Sequence, residues 1–197
     1  MHILAIVGSL RRRSYNRMTY EAVREMLPAG VTVDEADIAD IPPYNDDVRL
    51  EEGYPSPVRR LREQIAAADA VLFISPEYNF SIPGVLKNAI DWASRAPDQP
   101  LKGKPVGIMG ATTGLAGTVR MQLALRQTLV YLEALPAGRP EVLIAFATQK
   151  FDDEGRLVDE QTRDAVRAGL EALVAWTRRL ADGASPGGPS GDPGARR

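Results

Sequence analysis

The sequence predicts a single α/β domain built on a doubly wound, five-stranded parallel sheet with helices on both faces. Five apolar, strand-like runs alternate with segments whose apolar residues recur at helical spacing. Three of these runs (ILAIV, AVLFIS and VLIAFA) are continuous, which is typical of parallel strands that are buried on both faces. Five strands of this kind favour the order 2-1-3-4-5, with a ligand crevice at the carboxyl ends of strands one and three.

The expected strands and helices follow one another along most of the chain. The strands are expected at 3–7, 31–36, 70–75, 106–109 and 142–147. The helices are expected at 14–27, 57–67, 82–92, 121–132 and 166–180, each with an apolar stripe of period 3.6. The Pro-rich segment 40–57 reads as a long loop. The Gly, Pro and Ser-rich segment 182–197 is expected to be a disordered tail, which leaves a domain at 1–181.

Composition excludes several classes of function. The 24 basic and 26 acidic residues give a net charge of −2, so nothing indicates a nucleic-acid or membrane-surface partner. There is no cysteine, and the single histidine is His2, so thiolate catalysis, a histidine triad and a metal site are not expected. No apolar run is long enough for a membrane span and no leader is recognisable, which predicts a cytoplasmic protein. We therefore expect no catalytic side chain, and chemistry that resides on a bound cofactor.

The loop after the first strand, GSLRRRSYN, has the composition of a phosphate site. It combines serine hydroxyls, an asparagine amide, three arginines and backbone N–H groups at the start of a helix, all of which stabilise a phosphate. It matches neither the Walker A motif nor Gly-x-Gly-x-x-Gly, so a terminal monophosphate suits it better than a nucleoside triphosphate or a dinucleotide. The alternative is that the arginines form a solvated turn and that Ser14 is only a helix cap.

The loop after the third strand, PEYNFSIPGVLKNAIDWASR, offers a second wall for a flat aromatic heterocycle. Together with GSLRRRSYN and the stretch from KPVGIMG through RMQLALRQTLVYLEA, it resembles the NADPH-dependent FMN reductase family, in particular its quinone and chromate reductase branch. The resemblance extends over nearly the whole chain except the C-terminal tail. It implies a flavodoxin-like fold, bound FMN, and NADPH or NADH as the electron donor.

The resemblance also implies which residues contact FMN. The phosphate loop corresponds to Ser9, Leu10, Arg11, Ser14, Tyr15 and Asn16. The loop beside the isoalloxazine and the ribityl chain corresponds to Pro76, Glu77, Tyr78 and Asn79. The loop at the other edge of the ring corresponds to Ala111, Thr112, Thr113 and Gly114. In this last loop the chain departs from similar proteins, which often carry a serine-rich turn and paired glycines, because Ala111 takes a hydroxyl position and Thr118 follows Gly117.

The implied function is a ping-pong transfer of reducing equivalents from NAD(P)H through FMN to a small acceptor such as a quinone, a free flavin, an azo dye or chromate. A homodimer or homotetramer is expected, with 44–54 and the start of the helix at 82–92 as candidate interface elements. Two alternatives remain at this point. One is an electron carrier of the flavodoxin type, and the other is a flavin-binding module without enzymatic activity.

Overall fold

The structure, a computed structural model, describes residues 1–183 of the chain. Six strands and six α-helices lie within this range, together with a short 3-10 helix at Ala147–Gln149. The strands are β1 (His2–Val7), β2 (Thr32–Ala36), β3 (Ala70–Ile74), β4 (Pro105–Ala111), β5 (Leu135–Pro136) and β6 (Val142–Ile144). The helices are α1 (Tyr15–Glu25), α2 (Asp46–Glu52), α3 (Ser56–Ala67), α4 (Gly84–Ala93), α5 (Val119–Tyr131) and α6 (Glu160–Gly183).

All strand pairs of the sheet are parallel, and their order is β2-β1-β3-β4-β5, as predicted. Every residue of β3 and β4 is buried, which accounts for their continuous apolar or small-residue sequences. The edge strand β2 alternates between more exposed and less exposed residues, because successive side chains point to opposite faces of the sheet. The predicted fold class is therefore confirmed.

Helices cover both faces of the sheet and form a separate hydrophobic core on each face. The alternating side chains of β1 contribute to both cores. Ile3, Ala5 and Val7 join the core beneath α1 and α6. Leu4 and Ile6 join the core beneath α3, α4 and α5. Because successive side chains of a strand point to opposite faces, each central strand contributes to both cores.

The fifth position of the sheet differs from the prediction. It is shared by two short strands: β5 pairs with the beginning of β4, and β6 pairs with its end. The intervening segment contains Gly138 and Pro140, which interrupt a regular strand. The predicted strand at 142–147 ends at Ile144, since Phe146 adopts a left-handed conformation with φ of 50°.

The segment 40–57 is not wholly a loop, because it contains α2. Asn45 caps this helix by accepting a hydrogen bond from the Asp47 N–H at 3.0 Å. None of its residues is buried, so it has no apolar stripe that a periodicity search would detect.

The C-terminal helix extends farther than the sequence indicated. It includes Asp182 and Gly183, which were expected to begin the tail. The remaining tail residues, 184–197, lie outside the described residues, so their predicted disorder stays a prediction. Within 1–183, no helix has the length and apolar content needed to cross a membrane.

Candidate functional site

The loops that follow β1, β3 and β4 start in close contact at the carboxyl edge of the sheet. A Cβ atom on Gly8 would lie 2.3 Å from the Ser75 Oγ, and the Gly8 N–H donates to the Ile74 carbonyl at 2.9 Å. A Cβ atom on Gly110 would lie 2.2 Å from the Thr118 Oγ1 and 2.4 Å from the Ser75 carbonyl oxygen. Only glycine permits such close approach, so these two residues bring the three loops together.

The first loop is arranged for an anion. Ser14 is the N-cap of α1 and accepts the Asn16 N–H at 3.2 Å, while the Ser9 Oγ accepts the Arg11 N–H at 3.4 Å. The guanidinium of Arg11 is exposed and forms no ion pair within residues 1–183. The backbone N–H groups of Leu10, Arg12 and Arg13 likewise meet no acceptor in this part of the chain. Free N–H donors, a helix N-terminus and an unpaired cation together suit a phosphate monoester.

The side chains of two residues of the predicted phosphate loop have partners within the protein. Asn16 is buried, and its side chain both donates to the Ala111 carbonyl and accepts the Ala111 N–H, each at 2.9 Å. Tyr15 packs against the ring of Phe151, with 5.6 Å between the centroids. The Asn16 side chain therefore joins α1 to the end of β4, and it also occupies both backbone groups of Ala111.

In the second loop, the Glu77 carboxylate caps the beginning of α5. Thr118 precedes the first residue of α5, and its side chain does not cap the helix. Glu77 instead accepts the N–H groups of Arg120 and Met121 at 2.9 and 3.1 Å. The Arg120 guanidinium also pairs with this carboxylate at 2.5 Å, although the Glu77 side chain is only 7% exposed. A buried carboxylate needs such partners, and this one ties the loop after β3 to the helix after β4.

The segment after Glu77 forms a tight turn from Tyr78 to Ser81. These two residues exchange backbone hydrogen bonds at 2.9 and 3.2 Å. The central residues Asn79 and Phe80 have φ of 49° and 65°, as a type I′ turn requires. The Phe80 ring lies over the Arg120 guanidinium, with 3.7 Å between the ring centroid and the guanidinium carbon. Pro76 is buried at the start of this loop, whereas Tyr78 is half exposed.

The third loop is held by the end of β6 and by the residues that follow it. The Thr112 N–H donates to the Ile144 carbonyl, and the Thr112 carbonyl accepts the Ala147 N–H, each at 2.9 Å. Thr113 and Gly114 are exposed. Gly117 and Thr118 follow with φ of 55° and 70°, and this left-handed pair turns the chain into α5.

A cavity of about 500 Å³ lies between the second and third loops. The predicted site residues that line it are Glu77, Asn79, Thr112 and Gly114. Sequence reasoning missed the other lining residues, which are Phe80, Leu115, Ala116, Thr118 and Arg120. Thr118 and Arg120 begin a helix at the carboxyl edge of the sheet, which is the signal that could have found them. The predicted residues outside its lining are Ser9, Leu10, Arg11, Ser14, Tyr15, Asn16, Pro76, Tyr78, Ala111 and Thr113.

These features fit FMN. The first loop offers hydroxyls, free N–H donors and Arg11 for a phosphate, and the cavity combines polar Asn79 and Thr112 with apolar Leu115 and Ala116 for a flat heterocycle. A second cavity, of about 540 Å³, lies between α1 and the segment 153–157. Arginine and acidic side chains line it in equal number, so it lacks the charge surplus that would attract an anion.

Comparisons with known proteins identify the family of the chain. Residues 1–149 match the family model described as NADPH-dependent FMN reductase. An NAD(P)H-dependent FMN reductase of Pseudomonas aeruginosa is 52% identical over 178 residues, which are 90% of this chain and 96% of that protein. A quinone reductase of Escherichia coli is 43% identical over 182 residues, covering 91% of this chain and 97% of its own.

Among solved structures, the flavoenzyme FerB, an NAD(P)H:(acceptor) oxidoreductase from Paracoccus denitrificans, superposes with a TM-score of 0.83 at 33% identity. The superposition covers 91% of this chain and 98% of FerB. The family model matches most of the chain, and the alignments with the close relatives cover nearly the whole length of each relative. The chain therefore belongs to the NADPH-dependent FMN reductase family.

Proposed function

We propose that this protein transfers reducing equivalents from NAD(P)H to a quinone by a ping-pong mechanism in which donor and acceptor use the same site in turn. As a member of its family the chain is an NAD(P)H-dependent oxidoreductase with FMN as its cofactor. When bound, FMN supplies the hydride relay between the donor and the acceptor. The observation that carries the proposal is the cavity between the second and third loops, whose lining residue Thr112 follows the residue that Asn16 of the first loop contacts, Ala111.

The proposal assigns two groups of residues to cofactor binding. The Ser9 and Ser14 hydroxyls, Arg11 and the free N–H groups of the first loop would hold the phosphate. Asn79, Thr112 and Gly114 would orient the ring inside the cavity. Orienting two reactants in succession over the same ring lowers the entropic barrier.

Acid–base help from side chains is not part of the proposal. The one histidine, His2, stands at the amino end of β1, the end opposite the cavity, and its Nε2 lies 3.1 Å from an Asp34 carboxylate oxygen. The proton that accompanies the hydride to a quinone would therefore come from solvent. Overall, NAD(P)H, one proton and the quinone would yield NAD(P)⁺ and the hydroquinone.

A quinone is the acceptor that the relatives favour. The E. coli relative is named a quinone reductase, and a relative from Burkholderia, 38% identical over 90% of this chain, is named a 2-hydroxy-1,4-benzoquinone reductase. Rates with free flavins, azo dyes and chromate should be compared with the rate with a quinone. The same comparison should be made between NADPH and NADH, and Arg12, which lies exposed in the first loop, is available to pair with the additional phosphate of NADPH.

A homodimer or homotetramer is also part of the proposal. Large apolar side chains are exposed on α5 and on the loop before it, namely Leu115, Leu123, Val130 and Tyr131. The segment 44–54, expected to contribute to an interface, packs within its own chain, where the Tyr44 ring meets the Trp92 ring edge-on at 4.9 Å. Sedimentation would give the number of subunits, and cell fractionation would test the expected cytoplasmic location.

Two measurements test the enzymatic proposal. The purified protein should be yellow, and its flavin absorbance should bleach when NADPH or NADH is added without oxygen. Steady-state rates with a quinone should give parallel double-reciprocal lines. Visible flavin that NAD(P)H does not bleach would indicate an electron carrier, and colourless protein that binds no FMN would indicate a module without enzymatic activity. Intersecting lines would refute the shared site.

A further inference from the structure

Phe80 occupies a position that is locally unfavourable in two ways. It is the second central residue of the type I′ turn, where glycine is preferred, and a bulky residue with φ of 65° is an outlier. Its side chain is also 69% exposed, so its ring contributes little to the core. A strained backbone that presents an exposed aromatic ring beside a cavity is a feature of ligand-binding sites rather than of folding.

The Phe80 ring is nevertheless held in a defined orientation. The Arg120 guanidinium lies 3.7 Å from its centroid, close enough for a strong cation–π contact. Arg120 is fixed in turn by the Glu77 carboxylate, which also binds the first turn of α5. The ring is thus supported from behind by a charged pair anchored on a helix.

One face of the ring contacts Arg120, and its large exposed fraction leaves the other face open. Phe80 lines the cavity together with Leu115, which is 77% exposed, and Tyr78 of the same turn is half exposed. A flat, apolar, rigidly held surface at the edge of a cavity is complementary to a planar ring system.

We propose that the open face of Phe80 stacks on the ring of a planar quinonoid acceptor and so makes the site selective for such acceptors over compact, non-aromatic ones. This inference rests on the proposed function and names a residue that determines its specificity. Stacking forms no covalent bond, so the overall reaction is unchanged. What Phe80 contributes is affinity for the acceptor.

The test compares two variants of the full-length FMN-loaded protein with two acceptors. Phe80→Leu keeps an apolar side chain without a ring, and Phe80→Tyr keeps the ring. With 1,4-naphthoquinone, KM should rise about threefold to tenfold in Phe80→Leu, as expected for loss of one aromatic pair, and should stay within about twofold in Phe80→Tyr. With ferricyanide, which is not planar and takes one electron at a time, the KM should change much less than the naphthoquinone KM in the same variant.

Binding supplies a readout that does not depend on turnover. 2-Naphthol has two fused rings and cannot accept hydride, so its Kd reports binding without turnover. Its Kd should rise by the same factor in Phe80→Leu as the KM for naphthoquinone. Tyr54→Leu is the matched control, because the Tyr54 ring also stacks on an arginine, Arg62, at 4.3 Å but does not line the cavity. It should shift neither constant.

Several results would overturn the inference. One is an equal change in both KM values in Phe80→Leu, and another is an unchanged 2-naphthol Kd. A third is a smaller oligomer in Phe80→Leu with an unaltered naphthoquinone KM, which would make Phe80 a subunit contact. Failure of the proposed function looks different, because the wild-type protein itself would then show no bleaching by NAD(P)H.

Discussion

Replacing Glu77 with alanine should lower the free energy of unfolding by about 2–3 kcal/mol. The carboxylate accepts two N–H groups from the first turn of α5, and losing such a cap typically costs about 1 kcal/mol. It also neutralises Arg120 through a charge-assisted contact. The Arg120 side chain is 41% exposed, so water would replace part of that contact and limit this loss to about 1–2 kcal/mol.

The assay is urea unfolding of the flavin-free protein, because a bound ligand would add its own binding energy to the measured stability. For a chain of this length, the expected loss corresponds to a fall in Tm of roughly 4–12 °C. Glu77→Gln retains an acceptor oxygen for the helix and should lose about half as much. The matched control is Glu21→Gln, which removes an exposed pair with Arg24 and should change stability by less than about 0.5 kcal/mol.

The result that would refute this reasoning is a Glu77→Ala protein as stable as Glu21→Gln. Water would then accept the N–H groups at the start of α5 as well as Glu77 does. The contact between the second and third loops would contribute nothing to the free energy of unfolding. A second consequence is measurable in the same variants. Because Glu77 holds both walls of the cavity, Glu77→Ala should also weaken FMN binding, whereas Glu21→Gln should not.

Three further predictions concern other contacts. Asn16→Asp removes the amide donor to the Ala111 carbonyl and buries a carboxylate beside it, so it should cost about 3 kcal/mol in urea unfolding, and near-wild-type stability would contradict the role given to Asn16. Arg11→Ala should raise the Kd for FMN about tenfold or more while leaving the Kd for riboflavin, which has no phosphate, nearly unchanged, and an equal effect on both ligands would exclude a phosphate contact. The Thr162 hydroxyl and the Lys150 ammonium lower the pKa of Asp159 to about 2 from 3.8, so the stability it contributes should be complete above about pH 4 and lost as the pH falls towards 2; unfolding measured across this interval should show a smaller decline in Asp159→Asn.

Much of the fold could be predicted because the chain carries strong periodic signals. Continuous apolar runs mark strands buried on both faces, and amphipathic repeats mark the helices between them. The elements that escaped prediction lack such signals. The exposed helix α2 has no buried residue, and the fifth sheet position is divided between strands of two and three residues.

Within the site, the sequence indicated which loops matter better than it indicated what each side chain does. Glu77, Asn79, Thr112 and Gly114 do line one cavity. Asn16, expected at a phosphate, also joins α1 to β4 through the two backbone groups of Ala111. This contact depends on the position of the end of β4, which is 95 residues away along the chain.

The sequence by itself determined the fold class, the parallel order of the sheet and the family, and it predicted the loops that carry the site, because burial periodicity and local motifs are properties of contiguous residues. Only the tertiary structure decided that Glu77 caps a helix more than 40 residues later, that Arg120 supports Phe80, and that Thr118 fills the space left by Gly110. Each of these contacts depends on the angle at which one loop meets another. That angle follows from the packing of the whole sheet and its helices, to which residues far apart in the chain contribute together.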